Sequence, residues 1–189
     1  IMTTQDDETA LGQGSSVKME TQETMKIIAA GNIFTGTFER DGMGGILTLG
    51  RNFECRPNKL KGYYKYTSAK VSVSKGHLNE GEDDLCSLYI ALTDEQITVN
   101  TNKGIYFDPN SSAVIAYGSI SDEESKGADS FKEFTVDLEY KDLKRIPKYI
   151  IVVASSSKYG DYMEGGKGST MWLDDLELVY PKSMEEVRK

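Results

Sequence analysis

Apolar and polar residues alternate with a period of two through most patterned segments of the chain. That is the spacing of a strand with one buried face and not of a helix. In CSLYIALT, residues 86–93, Cys86, Leu88, Ile90 and Leu92 fall on one side and Ser87, Tyr89 and Ala91 on the other. FKEFTVDLEY, 131–140, sets Phe134, Val136, Leu138 and Tyr140 against Thr135, Asp137 and Glu139. KGYYKYTS, 61–68, opposes Tyr63 and Lys65 to Tyr64 and Tyr66. Further strands are predicted over 17–22, 26–38, 45–50, 149–157 and 170–180, joined by loops rich in Gly, Asn, Asp and Ser. Many short strands at this spacing predict an all-β protein, an antiparallel β-sandwich. The polar stretch 1–15 has no periodicity and reads as a flexible lead-in, 16–180 as the β domain, and 181–189 as a polar tail. Only the tail and ETMKII, 23–28, tolerate a helix.

The length of 189 residues suits one domain with one core. A net charge of −8 argues against nucleic acid or an anionic membrane surface as a partner. The single histidine, His77, leaves too few imidazoles for most zinc sites and for His-based triads. Cys55 and Cys86 lack CxxC spacing, so they are either buried thiols or a cross-strand disulfide. No apolar run is long enough for a membrane-spanning helix. Eleven Tyr against six Phe and one Trp favour half-exposed β surfaces and platforms for polyhydroxylated ligands.

YMEGGKGST, 162–170, lacks the spacing and the following helix of a phosphate loop. The acidic run 79–84 lacks the alternation of a calcium loop and reads as solvated. Asp174 and Asp175 interrupt an apolar strand; Asp175 with backbone carbonyls is a candidate structural Ca²⁺ site, and hydrogen bonding to a neighbouring loop is the alternative. Glycoside hydrolysis needs two carboxyls, for which Asp137 with Glu139, and Asp161 with Glu164, are available. The richest constellation is aromatic and hydroxylated: Tyr63, Lys65, Tyr89, Ser155, Ser157, Lys158, Tyr159 and Trp172. Aromatic faces stack on sugar C–H surfaces while Lys, Ser and Asp bond hydroxyls. The competing reading puts most of these tyrosines in the sandwich core.

AAGNIFTGTF (29–38), ECRPNKLKGYYKY (54–66), CSLYIAL (86–92), FTVDLEY (134–140) and IPKYIIVVASSSKYGDYMEGGKGSTMWLDDLELVY (146–180) occur in this order. Together they resemble the putative carbohydrate metabolism domain of Bacteroidetes bacteria. The resemblance implies a jelly-roll of the carbohydrate-binding-module kind in exported glycan-degrading systems, periplasmic or on the cell surface as a lipoprotein, with an immunoglobulin-like domain preceding it. It places candidate ligand contacts at Asn32, Arg56, Tyr63, Lys65, Ser155, Ser157, Lys158, Asp161 and Trp172, with Asp175 as the metal candidate. It also implies that a chain opening at Ile1 is a trimmed piece, short of an opening strand. The expected function is binding of an oligo- or polysaccharide, in a pocket formed where GYYKY, SSSKYGD and the Trp172 strand meet. The alternatives are a glycoside hydrolase and a structural or adhesive surface module.

Overall fold

A computed structural model describes residues 2–42 and 44–182. In chain order its strands begin with β1 (Thr3–Asp6), β2 (Ser16–Glu20), β3 (Gln22–Thr24), β4 (Ile27–Ala29), β5 (Asn32–Phe34), β6 (Gly36–Asp41), β7 (Gly44–Leu49) and β8 (Arg51–Asn52). They continue with β9 (Lys59–Thr67), β10 (Ser87–Thr93), β11 (Ile97–Asn100), β12 (Val114–Ser119), β13 (Ala128–Asp137), β14 (Glu139–Tyr140), β15 (Tyr149–Ser155) and β16 (Thr170–Val179). Three short 3₁₀ turns are the helical content of the described residues, and none of their helices could cross a membrane.

Two antiparallel sheets face each other, β1-β2-β16-β9-β13 and β14-β12-β10-β15-β5, with β8 also on β15. If β2, β5, β9, β10, β12, β13, β15 and β16 are counted first to eighth, the sheets run 1-8-3-6 and 2-7-4-5. That interleaving of two Greek keys is a jelly-roll. The core between the sheets holds the residues that alternation assigns inward: Cys86, Leu88, Ile90 and Leu92 from β10 and the residue before it, Tyr64 and Tyr66 from β9, Phe134 and Val136 from β13, and Met171 and Leu173 from β16. Cys86 is buried and Cys55 exposed, and both are free thiols; burial pushes the Cys86 thiol up to about 12.

The outer face of the second sheet is covered in turn. β5 and β8 pair successively with β15, and the chain between them departs as the β6–β7 hairpin, to which β11 adds a third strand. Leu49 and Val99 from this small sheet pack on Ala91 and Ile151, with Phe34, Tyr89 and Tyr117 around them. The face of β10 opposite the main core thus floors a second apolar layer, and the molecule is three layers deep on this side.

Three local expectations change. Inside the stretch read as flexible lead-in, Thr3–Asp6 pairs with β2 from Thr3↔Met19 to Asp6↔Ser16. Its order comes from backbone bonds at a sheet edge, which leave no mark on a polar sequence. ETMKII forms the β3–β4 hairpin, whose central residues Met25 and Lys26 both have positive φ, 50° and 61°; that is the turn geometry matching the twist of paired strands. Asp174 and Asp175 mark a bulge where the β16–β9 register shifts, with Asp175 at φ 47°. The proposed helix-tolerant tail lies outside the described residues beyond Lys182.

Candidate functional site

Between the second sheet and the β6–β7–β11 layer lies a cleft whose floor is set by register. Ser155 pairs with both Asn32 and Ser87, so these three form a polar row across β5, β15 and β10. Two residues along, Val153 pairs with Phe34 and Tyr89 in an apolar row. Leu47, Leu49 and Val99 form the roof, and Lys158 and Asp161, from the loop after β15, close one end. Past Asp161 the cleft widens into a hollow of about 350 Å³ walled by Ile28, Phe38, Gly44, Gly45 and Met163. Phe38 is 60% exposed there. Its ring lies where a Cβ on Gly45 would stand, so the glycine lets the aromatic lie flat over β7.

Several polar groups in this cleft lack partners. The Ser87 and Tyr89 hydroxyls have no hydrogen bond among the described residues, and the Asp161 carboxylate has neither a hydrogen bond nor an ion pair. The Asp161 side chain is exposed to solvent through the hollow, and the protein atoms packed around it raise its pKa above the ordinary 3.8. Burial also raises the Tyr89 phenol, with the Asp161 charge as a further cause. The Tyr89 ring is stacked on Phe107 at 4.9 Å, which covers one of its faces and leaves the hydroxyl for a ligand. The Lys158 ammonium turns away to Asp122 at 3.0 Å. Ser155 donates to the Ser157 carbonyl, and the Asn32 amide makes a long 3.4 Å bond to the Ala30 carbonyl.

Five of the sequence candidates, Asn32, Tyr89, Ser155, Lys158 and Asp161, therefore meet in one cleft. Ser157 touches its wall, but its hydroxyl donates to Asp84 at 2.6 Å and also bonds Thr21. Tyr63, Lys65 and Trp172 lie on the outer face of the first sheet, on the far side of the molecule. There Lys18, Trp172 and Lys65 form a row across β2, β16 and β9, with the two ammoniums 5.4 and 4.3 Å from the indole centroid. The lead-in crosses this row: Glu8 pairs with Lys65, and the Ala10 N–H donates to Asp174 at 2.8 Å. The pocket expected between GYYKY, SSSKYGD and Trp172 is not assembled, because β9 and β15 belong to different sheets. Arg56 donates to the Arg145 carbonyl and lies over Tyr140, outside the cleft.

Of the carboxylate pairs, Asp161 lines the cleft and Glu164 does not, while Asp137 and Glu139 are both exposed outside it. Asp137 is exposed and paired with Lys59. Glu164 is fully buried beneath the 75–78 loop and accepts from the backbone N–H groups of Lys75, His77 and Leu78, with the His77 ring nitrogen at 3.0 Å. Burial works to raise this carboxyl, but those bonds outweigh it and hold the pKa below the ordinary 4.5. His77 is stacked on Tyr159 and meets the Tyr162 ring at a tilt. Asp175 is exposed at its bulge, and among the described residues no three His, Cys, Asp or Glu side chains gather as a metal-binding group.

The sequence reading missed Phe38 and Asp84. Phe38 ends the segment 26–38 read as one strand, which the structure divides into β4, β5 and β6, and its ring covers Gly45 on the paired strand β7, so the glycine there is the available signal. Asp84 ends a run that looks solvated, yet it is fully buried.

A jelly-roll sandwich carrying an extra β layer over one sheet, with a polar and aromatic cleft beneath that layer, defines the structural class. Residues 2–179 match the family described as "Putative carbohydrate metabolism domain", and the chain belongs to that family. Its fold matches the crystal structure of a protein from Bacteroides thetaiotaomicron titled a putative glycoside hydrolase, with TM-score 0.77 and 24% identity over 97% of this chain and 58% of that one. A second structure with the same designation, from Bacteroides vulgatus, matches with TM-score 0.74 and 24% identity over 94% of this chain and 77% of that one. The chain thus spans a little over half of the first of these structures. No curated protein matches the sequence.

Proposed function

We propose that this chain is the glycan-binding domain of an exported bacterial carbohydrate-processing protein, and that the cleft over the second sheet is its site. The observation that carries this is the convergence of unpartnered Ser87, Tyr89 and Asp161 groups beside the exposed Phe38 ring. Unpaired polar groups in a concave wall are satisfied when sugar hydroxyls arrive, and an exposed aromatic gives a pyranose a surface to stack on. The family's assignment to carbohydrate metabolism supports the ligand class.

A glycan array on the intact chain tests the reading, followed by titration of the best ligand into Phe38→Ala. Loss of a central aromatic contact costs about 2 kcal/mol, roughly thirtyfold in Kd. Because Phe38 is mostly solvent-facing, the melting temperature is expected to stay within a few degrees of wild type. Unchanged affinity in the variant would move the site out of this cleft.

The hydrolase reading draws on Asp161, whose desolvation favours the protonated form that a general acid needs. Among the described residues Asp161 is, however, the lone carboxylate lining the cleft, whereas the two-carboxylate mechanisms need a second one across the scissile bond. New reducing ends released from the bound glycan, and lost in Asp161→Asn, would establish hydrolysis in place of binding.

A Ca²⁺ ion at Asp175 would have to draw its remaining oxygens from bulge carbonyls and water. If it is held there, a chelator lowers the melting temperature, since an ion bound to the native state stabilises it by mass action. An unchanged melting curve removes it.

A further inference from the structure

Among the described residues, the charged ones lining the cleft and its hollow are Lys158 and Asp161. Lys158 does not neutralise Asp161, because its ammonium is engaged by Asp122. Asp161 therefore presents an uncompensated negative charge between apolar and aromatic walls that include Phe34, Phe38, Leu47 and Met163. A hydroxyl arriving at such a carboxylate gives it a hydrogen bond but leaves the charge in place. A uronic acid or sulfated sugar adds a second negative charge in a chain that already carries −8 overall. A protonated amine cancels the charge, makes a charge-assisted hydrogen bond, and can lie near ring faces that attract cations.

We infer that the cleft is built for a sugar bearing a protonated amine, with the ammonium against the Asp161 carboxylate and the pyranose ring over Phe38. This rests on the glycan reading of the same cleft and narrows its ligand to amino sugars with a free nitrogen.

The test is calorimetric titration of wild type and Asp161→Asn with three probes at neutral pH: glucosamine oligosaccharides, N-acetylglucosamine oligosaccharides of the same length, and cyclohexylamine. The expected result is binding of the glucosamine oligosaccharide at least about tenfold tighter than its acetylated counterpart, with that preference abolished in Asp161→Asn. Asp161→Asn is expected to melt no lower than wild type, because it removes an uncompensated charge, so loss of folding will not mimic loss of binding. Equal binding of the two oligosaccharides, or preference for the acetylated one, overturns the ammonium inference and leaves the glycan reading standing. Binding of cyclohexylamine that depends on Asp161, without binding of either oligosaccharide, supports the ammonium site and overturns the amino-sugar ligand. Absence of binding by all three overturns the ammonium inference and leaves the glycan reading to the array.

Discussion

Asp84→Ala is expected to cost about 4 kcal/mol of stability, a large share of the roughly 5–15 kcal/mol that holds a domain of this kind together. The Asp84 carboxylate is inaccessible to solvent and accepts from the Ser157 and Ser169 hydroxyls and from the N–H groups of Gly166 and Leu85, at 2.6 to 2.8 Å. Removing it leaves four buried donors facing a void, and each unsatisfied group costs about 1–3 kcal/mol. In a chain of this length the loss corresponds to a fall in melting temperature of about 8–16 °C. Asp84→Asn should be milder, because it retains an acceptor for the donors on one oxygen and removes the cost of burying a charge. Burial raises the Asp84 carboxyl above its ordinary 3.8 despite those four bonds, so the folded state keeps the proton to higher pH than the unfolded chain. The contribution of this group is therefore fullest at acid pH and declines as pH rises through the interval above 3.8. Thermal melts across that interval should show the decline in wild type and a flatter profile in Asp84→Asn. Equal melting temperatures for Asp84→Ala and wild type would show that the network holds nothing together.

The same network explains why the SSSKYGDYMEGGKGS segment is so recognisable. Ser156 and Ser157 bond Thr21, Ser157 and Ser169 bond Asp84, and Glu164 anchors the 75–78 loop, so four of its polar side chains tie three loops together at one end of the sandwich. Its distinctiveness reports the fold more than the ligand. Strands with one face in the core, such as β9, β10 and β13, are legible because water and core demand different residues at alternate positions. β12 is apolar on both faces, since it lies between the main core and the second apolar layer, and its sequence shows no alternation. The site is legible in part for a related reason. Alternation tells which residues leave the core, but a sandwich has two outer faces, and nothing local says which one is roofed. Asn32 and Ser155 face outward beneath the extra sheet and reach the cleft; Tyr63, Lys65 and Trp172 face outward on the other side.

Trp172 gives the sharpest separation of these two faces. The indole is held in a row between the Lys18 and Lys65 ammoniums, and the lead-in passes over it through the Glu8 ion pair with Lys65 and the Ala10 bond to Asp174. Trp172→Ala removes apolar contact beneath that strap together with two cation–π contacts, each worth about 0.5–1 kcal/mol at a partly exposed position. With the lost packing of a half-buried aromatic side chain, the expected destabilisation is about 2–3 kcal/mol, or roughly 4–12 °C in melting temperature. The lead-in should loosen first, so the Ala10 amide, protected by its bond to Asp174, is expected to exchange faster with solvent deuterium than the β10 and β15 amides. Glycan affinity, measured below the melting transition, should match wild type, because the cleft lies on the opposite side of the sandwich. A folded Trp172→Ala protein that has lost its glycan would place the binding surface on the outer face of the first sheet, with the lead-in lying across it.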